Sequence, residues 1–265
     1  MAQRSLLFLA ILSLAACKSK TNSPLDNAAP VSNVTMDSLR AQYAHYSQET
    51  LNDFPAQQTI ESGKLYPVDE ARLDTSFFVF RGKLLDIVRE KNTVQLIPLI
   101  APDIKADFGG ADGLAGFVKI WELGNQRKSA DSEVWETLEQ VLTQGGVFSQ
   151  NRTFFTAPYT FATFSDRYDA FTHGIVAGGG VRMRVSPSLS SRVEKVLTHE
   201  VVEVIDYNGP EQTINGETFP WVKIRTLDGK DGYTWGKFVV SSIDFRAGFA
   251  KRKGKWQMVF LVAGD

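Results

Sequence analysis

Three histidines, a single cysteine and a scatter of acids are the residues of this 265-residue chain whose types suit them to hold metals, attack substrates or move protons. His45, His173 and His199 lie far apart in sequence. None belongs to a His-x-x-x-His or His-Glu-x-x-His pattern, the spacing that puts two zinc ligands on one helix face. Cys17 is the only thiol, and no Gly-x-Ser-x-Gly elbow is present to expose a nucleophilic serine. Asp103, Asp107 and Asp112 form a loose acidic series without the ligand spacing of a calcium loop, so they read as helix caps and solvated turn residues. A pair of acids for glycoside hydrolysis needs no local motif, and Glu122 with Asp131 or Glu133 is the pair this sequence offers. Nothing in the pattern favours that pair. The expectation is therefore no catalytic residue, no metal and no cofactor, hence a protein that is not an enzyme.

The N-terminus is more informative. Met1-Ala2-Gln3-Arg4 carries one positive charge, and an apolar run over 6–16 follows, broken only by Ser13. That run is well short of the ~20 residues a membrane-spanning helix needs, so it reads as the hydrophobic region of a secretory signal. It ends in Leu14-Ala15-Ala16-Cys17, which resembles the lipobox of bacterial lipoproteins. The resemblance implies cleavage before Cys17, lipidation of its thiol and a membrane anchor through that lipid. Two acyl chains make such an anchor stable where one is marginal. The alternative is an ordinary signal with Cys17 incidental. Lys18 and Ser19 follow with no Asp, which in a Gram-negative host resembles an outer-membrane address facing the periplasm.

The elements that would position any chemistry come next. The net charge of −1 gives no electrostatic argument for nucleic acid, and 43% hydrophobic residues suit a globular body. Residues 18–34, rich in Ser, Asn, Pro and Ala, read as a flexible tether. Helices are expected over 37–51, 74–91, 114–123 and 131–143. The clearest is 74–91, with Asp74 or Thr75 as cap and Phe77, Phe80, Leu84, Ile87 and Val88 on one face. An apolar stretch at 93–101 is expected to stop at Pro102, and the glycines of 108–113 to turn. The aromatics of 147–177 read either as the seal of a helical domain or as a sugar-stacking surface, with extended structure over 159–164.

From Gly178 the pattern changes to short β-like segments at 181–185, 193–197, 201–207, 219–226, 232–235 and 238–240. Turns are marked by Ser186-Pro187, Asn208-Gly209-Pro210, Asn215-Gly216 and Asp228-Gly229, a spacing that argues for a small barrel. The segments Val181-Arg182-Met183-Arg184-Val185-Ser186-Pro187, Val201-Val202-Glu203-Val204-Ile205, Trp221-Val222-Lys223-Ile224-Arg225 and Asp228-Gly229-Lys230-Asp231-Gly232-Tyr233-Thr234-Trp235 follow one another in order. Together they resemble the bacterial SH3 (SH3b) domains over about a quarter of the chain. Arg182 stands where that family usually has Asn, and Tyr233 where Trp is commonest. The resemblance implies an SH3-like barrel whose groove, here Arg184, Trp221, Tyr233 and Trp235, binds cell-wall peptide or glycan, or only mediates domain contacts.

After Ser242, two further strands flank the basic turn Lys251-Arg252-Lys253-Gly254-Lys255. A lone hairpin is marginal in water, so this one must pack on the body. Its tip reads as a solvated turn, or as a contact for anionic lipid or wall polymer.

The resulting fold class is α+β: a signal at 1–16, a lipidated cysteine and tether at 17–35, a mostly helical domain at 36–174, an SH3b-like barrel at 175–242 and a hairpin at 243–265. The expected function is non-enzymatic recognition of peptidoglycan or of an envelope protein. The alternatives are a scaffolding lipoprotein whose barrel only docks, and an envelope hydrolase with a carboxylate site.

Overall fold

The computed structural model describes residues 36–49, 52–110 and 113–264; Cys17, its tether and Asp112 lie outside them. The helices are α1 (Met36–Gln48), α2 (Thr75–Arg89), α3 (Thr93–Leu96), α4 (Gly113–Ile120), α5 (Gln126–Ser129), α6 (Val134–Thr143) and α7 (Tyr159–Ala162). Asp74 is the cap of α2, its carboxylate accepting the Phe77 N–H at 2.9 Å, which satisfies one of the donors a helix start leaves orphaned.

The strands are β1 (Ile60–Glu61), β2 (Lys64–Leu65), β3 (Ile100–Lys105), β4 (Val147–Ser149), β5 (Phe154–Ala157), β6 (His173–Val176), β7 (Val181–Arg184), β8 (Val193–Leu197), β9 (Val201–Asp206), β10 (Glu211–Ile214), β11 (Glu217–Thr226), β12 (Asp231–Trp235), β13 (Val239–Ser241), β14 (Arg246–Arg252) and β15 (Lys255–Val262). They form an α+β molecule with a sheet-rich C-terminal region.

The helix-rich part is not complete in itself. Its strands β3, β4 and β5 share a five-stranded sheet with β14 and β15, in the order β3-β15-β14-β5-β4. The C-terminal hairpin thus supplies two inner strands rather than lying against a finished helical domain. The core sits between α2 and this sheet. Fully buried Phe77 has Phe155 at 4.2 Å, Trp256 at 4.9 Å, Phe148 at 5.4 Å and Phe249 at 5.7 Å between ring centroids. Each such ring stabilises the fold by roughly 1.5–3 kcal/mol through burial alone.

Two local expectations are corrected. Pro102 does not stop the apolar stretch but lies within β3, at the sheet edge, where a residue without an N–H leaves no ladder bond unmade. The segment 159–164 is not extended: α7 occupies its start, directly after Pro158, and the strand of this region is β5 instead. Pro fixes its own φ at a helix-compatible value, and three polar or aromatic residues in alternation are too weak a signal to oppose it.

The second sheet runs β13-β6-β9-β11-β12-β7-β8, with β10 paired to the first half of β11. It coils around a core of Val176, Val181, Met183, Leu197, Val202, Val222 and Ile224. Its hydrogen-bonded ladder does not close, since β8 and β13 remain ends of the path. The closed barrel expected from sequence is therefore not formed by the ladder. The link between its halves is narrow, a single Tyr233↔Arg184 pair joining β12 to β7. Gly232 permits that approach, because a Cβ there would sit 2.6 Å from Met183 Cγ and 3.0 Å from the Arg184 carbonyl oxygen. Gly229, at φ +82°, makes the β11–β12 turn.

Candidate functional site

A groove of about 360 Å³ opens on the second sheet. Trp221 and Trp235 are direct cross-strand partners on β11 and β12 and form its floor. One residue holds both. Gln212 on β10 accepts the Trp221 indole N–H at its Oε1 (2.8 Å) and the Trp235 indole N–H at its main-chain oxygen (3.1 Å). The β10–β11 turn that carries Gln212 into place uses Asn215 at φ 53° and Gly216 at φ 85°, the positive angles of a tight hairpin. Trp221 is only 2% exposed and Trp235 only 7%, so the rings are fixed floor rather than mobile contacts.

Arg184 lies in the wall, and its Nη1 donates to the Ser191 carbonyl oxygen at 2.6 Å, tying down the loop between β7 and β8. The accessible rim is made by Arg182, Leu189 and Lys237, with Lys237 paired to Glu217 and lying 6.0 Å from the Trp235 ring centroid. Arg182 and Lys237 at the rim and Arg184 in the wall, against Glu217, give the groove a positive balance. Such a groove suits a planar or apolar group on the indoles together with a hydrogen-bonding or anionic group at the rim.

Of the four residues expected in this groove, Arg184, Trp221 and Trp235 come together. Tyr233 is half-buried in β12 opposite Lys223 and Arg184 and is not among the groove's lining residues. Leu189 and Lys237 were not legible as lining residues, nor Gln212 as the support behind the tryptophans, because these placements arise only when the chain folds around Trp221 and Trp235.

A larger cavity, about 550 Å³, lies at the helix-rich part. Asp107 after β3, Glu122 after α4, and Asp131 and Glu133 before α6 line it, beside Trp121 and Phe245. The acid pair offered by the sequence is thus gathered in one depression. Glu122 has φ 52° and pairs with Lys128, while Ser132 Oγ donates to the Trp121 carbonyl oxygen at 2.6 Å.

The remaining residues with chemical potential are spread out. His45 on α1 lies 3.8 Å from Glu49, His173 begins β6, and His199 precedes β9. Asp103 pairs with Arg252 at 2.5 Å, and Asp107 accepts the Gly109 N–H at 3.0 Å. Among the described residues no group of three His, Cys, Asp or Glu is placed to hold a metal ion, and no helix is long and apolar enough to cross a membrane.

No protein-family model matches this chain, and no curated protein is similar to it. Among solved structures, an NTF2-like protein with a cystatin-like fold from Novosphingobium aromaticivorans is similar over 73% of this chain and 80% of its own, at 10% identity and a TM-score of 0.26. A likeness that slight carries no argument about fold or function.

Proposed function

We propose that this chain is a non-enzymatic, lipid-anchored envelope protein that binds cell-wall peptide or glycan, or an envelope protein, through an SH3-like module. The lipobox-like Leu14-Ala15-Ala16-Cys17 supports the anchor, and the ordered SH3b-like segments support the module. One observation carries the binding role: two tryptophans held side by side by Gln212 under a rim of Arg182, Leu189 and Lys237. A floor immobilised before the ligand arrives loses little side-chain freedom on binding, which favours affinity.

The test is co-sedimentation of the purified protein with isolated peptidoglycan, beside an Arg182→Glu/Leu189→Ser variant. Both residues are exposed, so the variant keeps its fold. Binding lost in the variant supports the wall-recognition groove. Full binding by the variant sinks it, and no binding by either protein favours the docking role, to be pursued by cross-linking.

The envelope-hydrolase reading draws on the 550 Å³ cavity that gathers Glu122, Asp131 and Glu133. Against it stands their exposure, since a general acid at neutral pH needs a carboxyl kept out of water. Release of reducing ends from wall glycan, abolished by Asp131→Asn or Glu133→Gln, would restore it.

A further inference from the structure

We infer that the tryptophan groove reads the free carboxylate at the end of a short peptide, with Arg182 as the group that holds it. The inference deepens the proposed wall-recognition role and rests on it only for the source of the peptide. Charge accounting singles out Arg182. Of the other cations in the groove, Lys237 is paired with Glu217, and Arg184 is buried with its Nη1 spent on the Ser191 carbonyl oxygen. Arg182 is exposed, and its side chain has no ion-pair or hydrogen-bond partner among the described residues. Its cross-strand partner is the exposed Val196, and the one acid of that strand, Glu194, is taken up by Arg192 at 2.8 Å. A guanidinium without a counter-ion is a planar fork that a carboxylate meets with two parallel hydrogen bonds.

The rest of the lining decides between peptide and glycan. A sugar ring stacks on an open aromatic face, and Trp221 and Trp235, almost wholly covered, present little of one. What the groove leaves open is aliphatic and amide: the exposed Leu189, the half-buried Ile214 and the exposed Asn215 at the tip of the β10–β11 hairpin. Leu189 and Ile214 suit an aliphatic side chain, and the Asn215 amide both donates and accepts, as a peptide group does. The approach to Arg182 is clear, because a Cβ on Gly180 would meet nothing within 4 Å and one on Gly179 only Thr198 Cγ2 at 3.9 Å. A volume of about 360 Å³ lies at the small end of the ~300–1,000 Å³ of ligand clefts, room for the end of a chain rather than its length. Glu217 on the same rim disfavours a doubly charged phosphate, so a single carboxylate fits the balance better.

The probes are N-acetyl-dialanine with a free carboxyl, the same peptide as its C-terminal amide, N-acetylglucosamine and inorganic phosphate. Each is titrated into the full chain while the backbone resonances of Gly179, Gly180 and Arg182 are followed by NMR. The acid should shift them and bind about tenfold more tightly than the amide, the value of one charge-assisted contact. Arg182→Gln, altered at an exposed position, should abolish that preference while keeping a dispersed spectrum. Arg182→Lys should keep only part of it, since a point charge replaces the fork. No shift with either peptide, equal affinity for acid and amide, an undiminished preference in Arg182→Gln, or sugar or phosphate bound as tightly as the acid would each overturn the inference. Co-sedimentation with peptidoglycan reports on the wall-recognition role separately. A protein that binds the wall without preferring the acid keeps that role and loses this inference. One that prefers the acid without binding the wall keeps the carboxylate groove and loses the wall as the source of its peptide.

Discussion

Lys251 Nζ lies 2.9 Å from Ser76 Oγ, so a residue near the C-terminus is fastened to the first turn of α2. The Trp256 indole N–H donates to the same Ser76 oxygen at 3.0 Å, and Lys251 Nζ is 3.4 Å from Asp74 Oδ2. One serine thereby ties both strands of the terminal hairpin to the helix they cover. Ser76→Ala should destabilise the protein by about 1–3 kcal/mol, because it leaves a buried indole N–H and a half-buried ammonium short of an acceptor. Urea unfolding should show a lower midpoint at unchanged slope; an unchanged midpoint would mean water replaces the hydroxyl at no cost. By the same logic, removing 243–265 strips Phe249, Trp256, Met258 and Leu261 from the core, and the helix-rich part should not fold without them.

Asp69 and Arg81 form the deepest ion pair among the described residues, bidentate at 2.9 and 2.7 Å with side chains 7% and 1% exposed. Asp69 also accepts the Ala71 N–H at 3.2 Å and Asn52 Nδ2 at 3.4 Å. Arg81→Met should cost about 3–5 kcal/mol by leaving a carboxylate buried without its counter-charge, whereas Arg81→Met with Asp69→Leu should recover much of that loss. Thermal unfolding of the two single variants and the double variant gives the coupling directly. Additive losses would mean the two side chains do not act as a pair.

What the sequence made legible follows from locality. α2 was readable because Asp74 caps it three residues before Phe77 and its apolar face repeats every turn. Most strands of the second sheet were readable from β-branched runs ending at Gly-containing turns. β10 was not, because Glu211-Gln212-Thr213-Ile214 has only one apolar residue, and its stability comes from pairing with β11. Tyr233 was placed in the groove from its position in a motif, yet side chains on a strand are committed by neighbours on both sides, here Lys223 and Arg184. The acidic cavity draws residues from four separate segments and Phe245 from the far end of the chain, so no window of sequence contains it.

His199 offers a pH dependence that can be isolated. Burial, then the charge of Lys64, hold its imidazole below the ordinary histidine value of 6.5, and its Nδ1 is buried without a partner. The folded protein therefore binds this proton more weakly than the unfolded chain does. Stability from this group is complete above about pH 6.5, declines as pH falls below it, and levels off once pH is under the folded value. Asn accepts the positive φ of 53° at this position. His199→Asn should therefore fold and lose less stability than the parent between pH 7.5 and 5, as read from urea midpoints. Parallel losses would assign the acid sensitivity to other groups.

The groove separates floor from rim, and stability from binding. Trp221 is 2% exposed and hydrogen-bonded through Gln212, so Trp221→Ala should cost about 3–5 kcal/mol as a large-to-small core change. Its effect on ligand binding would then be inseparable from unfolding. Gln212→Leu is milder, orphaning the Trp221 N–H while the main-chain acceptor for Trp235 persists, and should cost about 1–3 kcal/mol. Arg182→Ala changes an exposed side chain and should leave the melting temperature within about a degree or two, since surface substitutions usually stay within ~0.5 kcal/mol. If the rim reads the ligand, Arg182→Ala weakens wall binding without moving the melt, and Gln212→Leu weakens both together. A rim variant that melts like the parent and binds like it would leave the tryptophan floor as core alone, and the groove without a ligand-reading role.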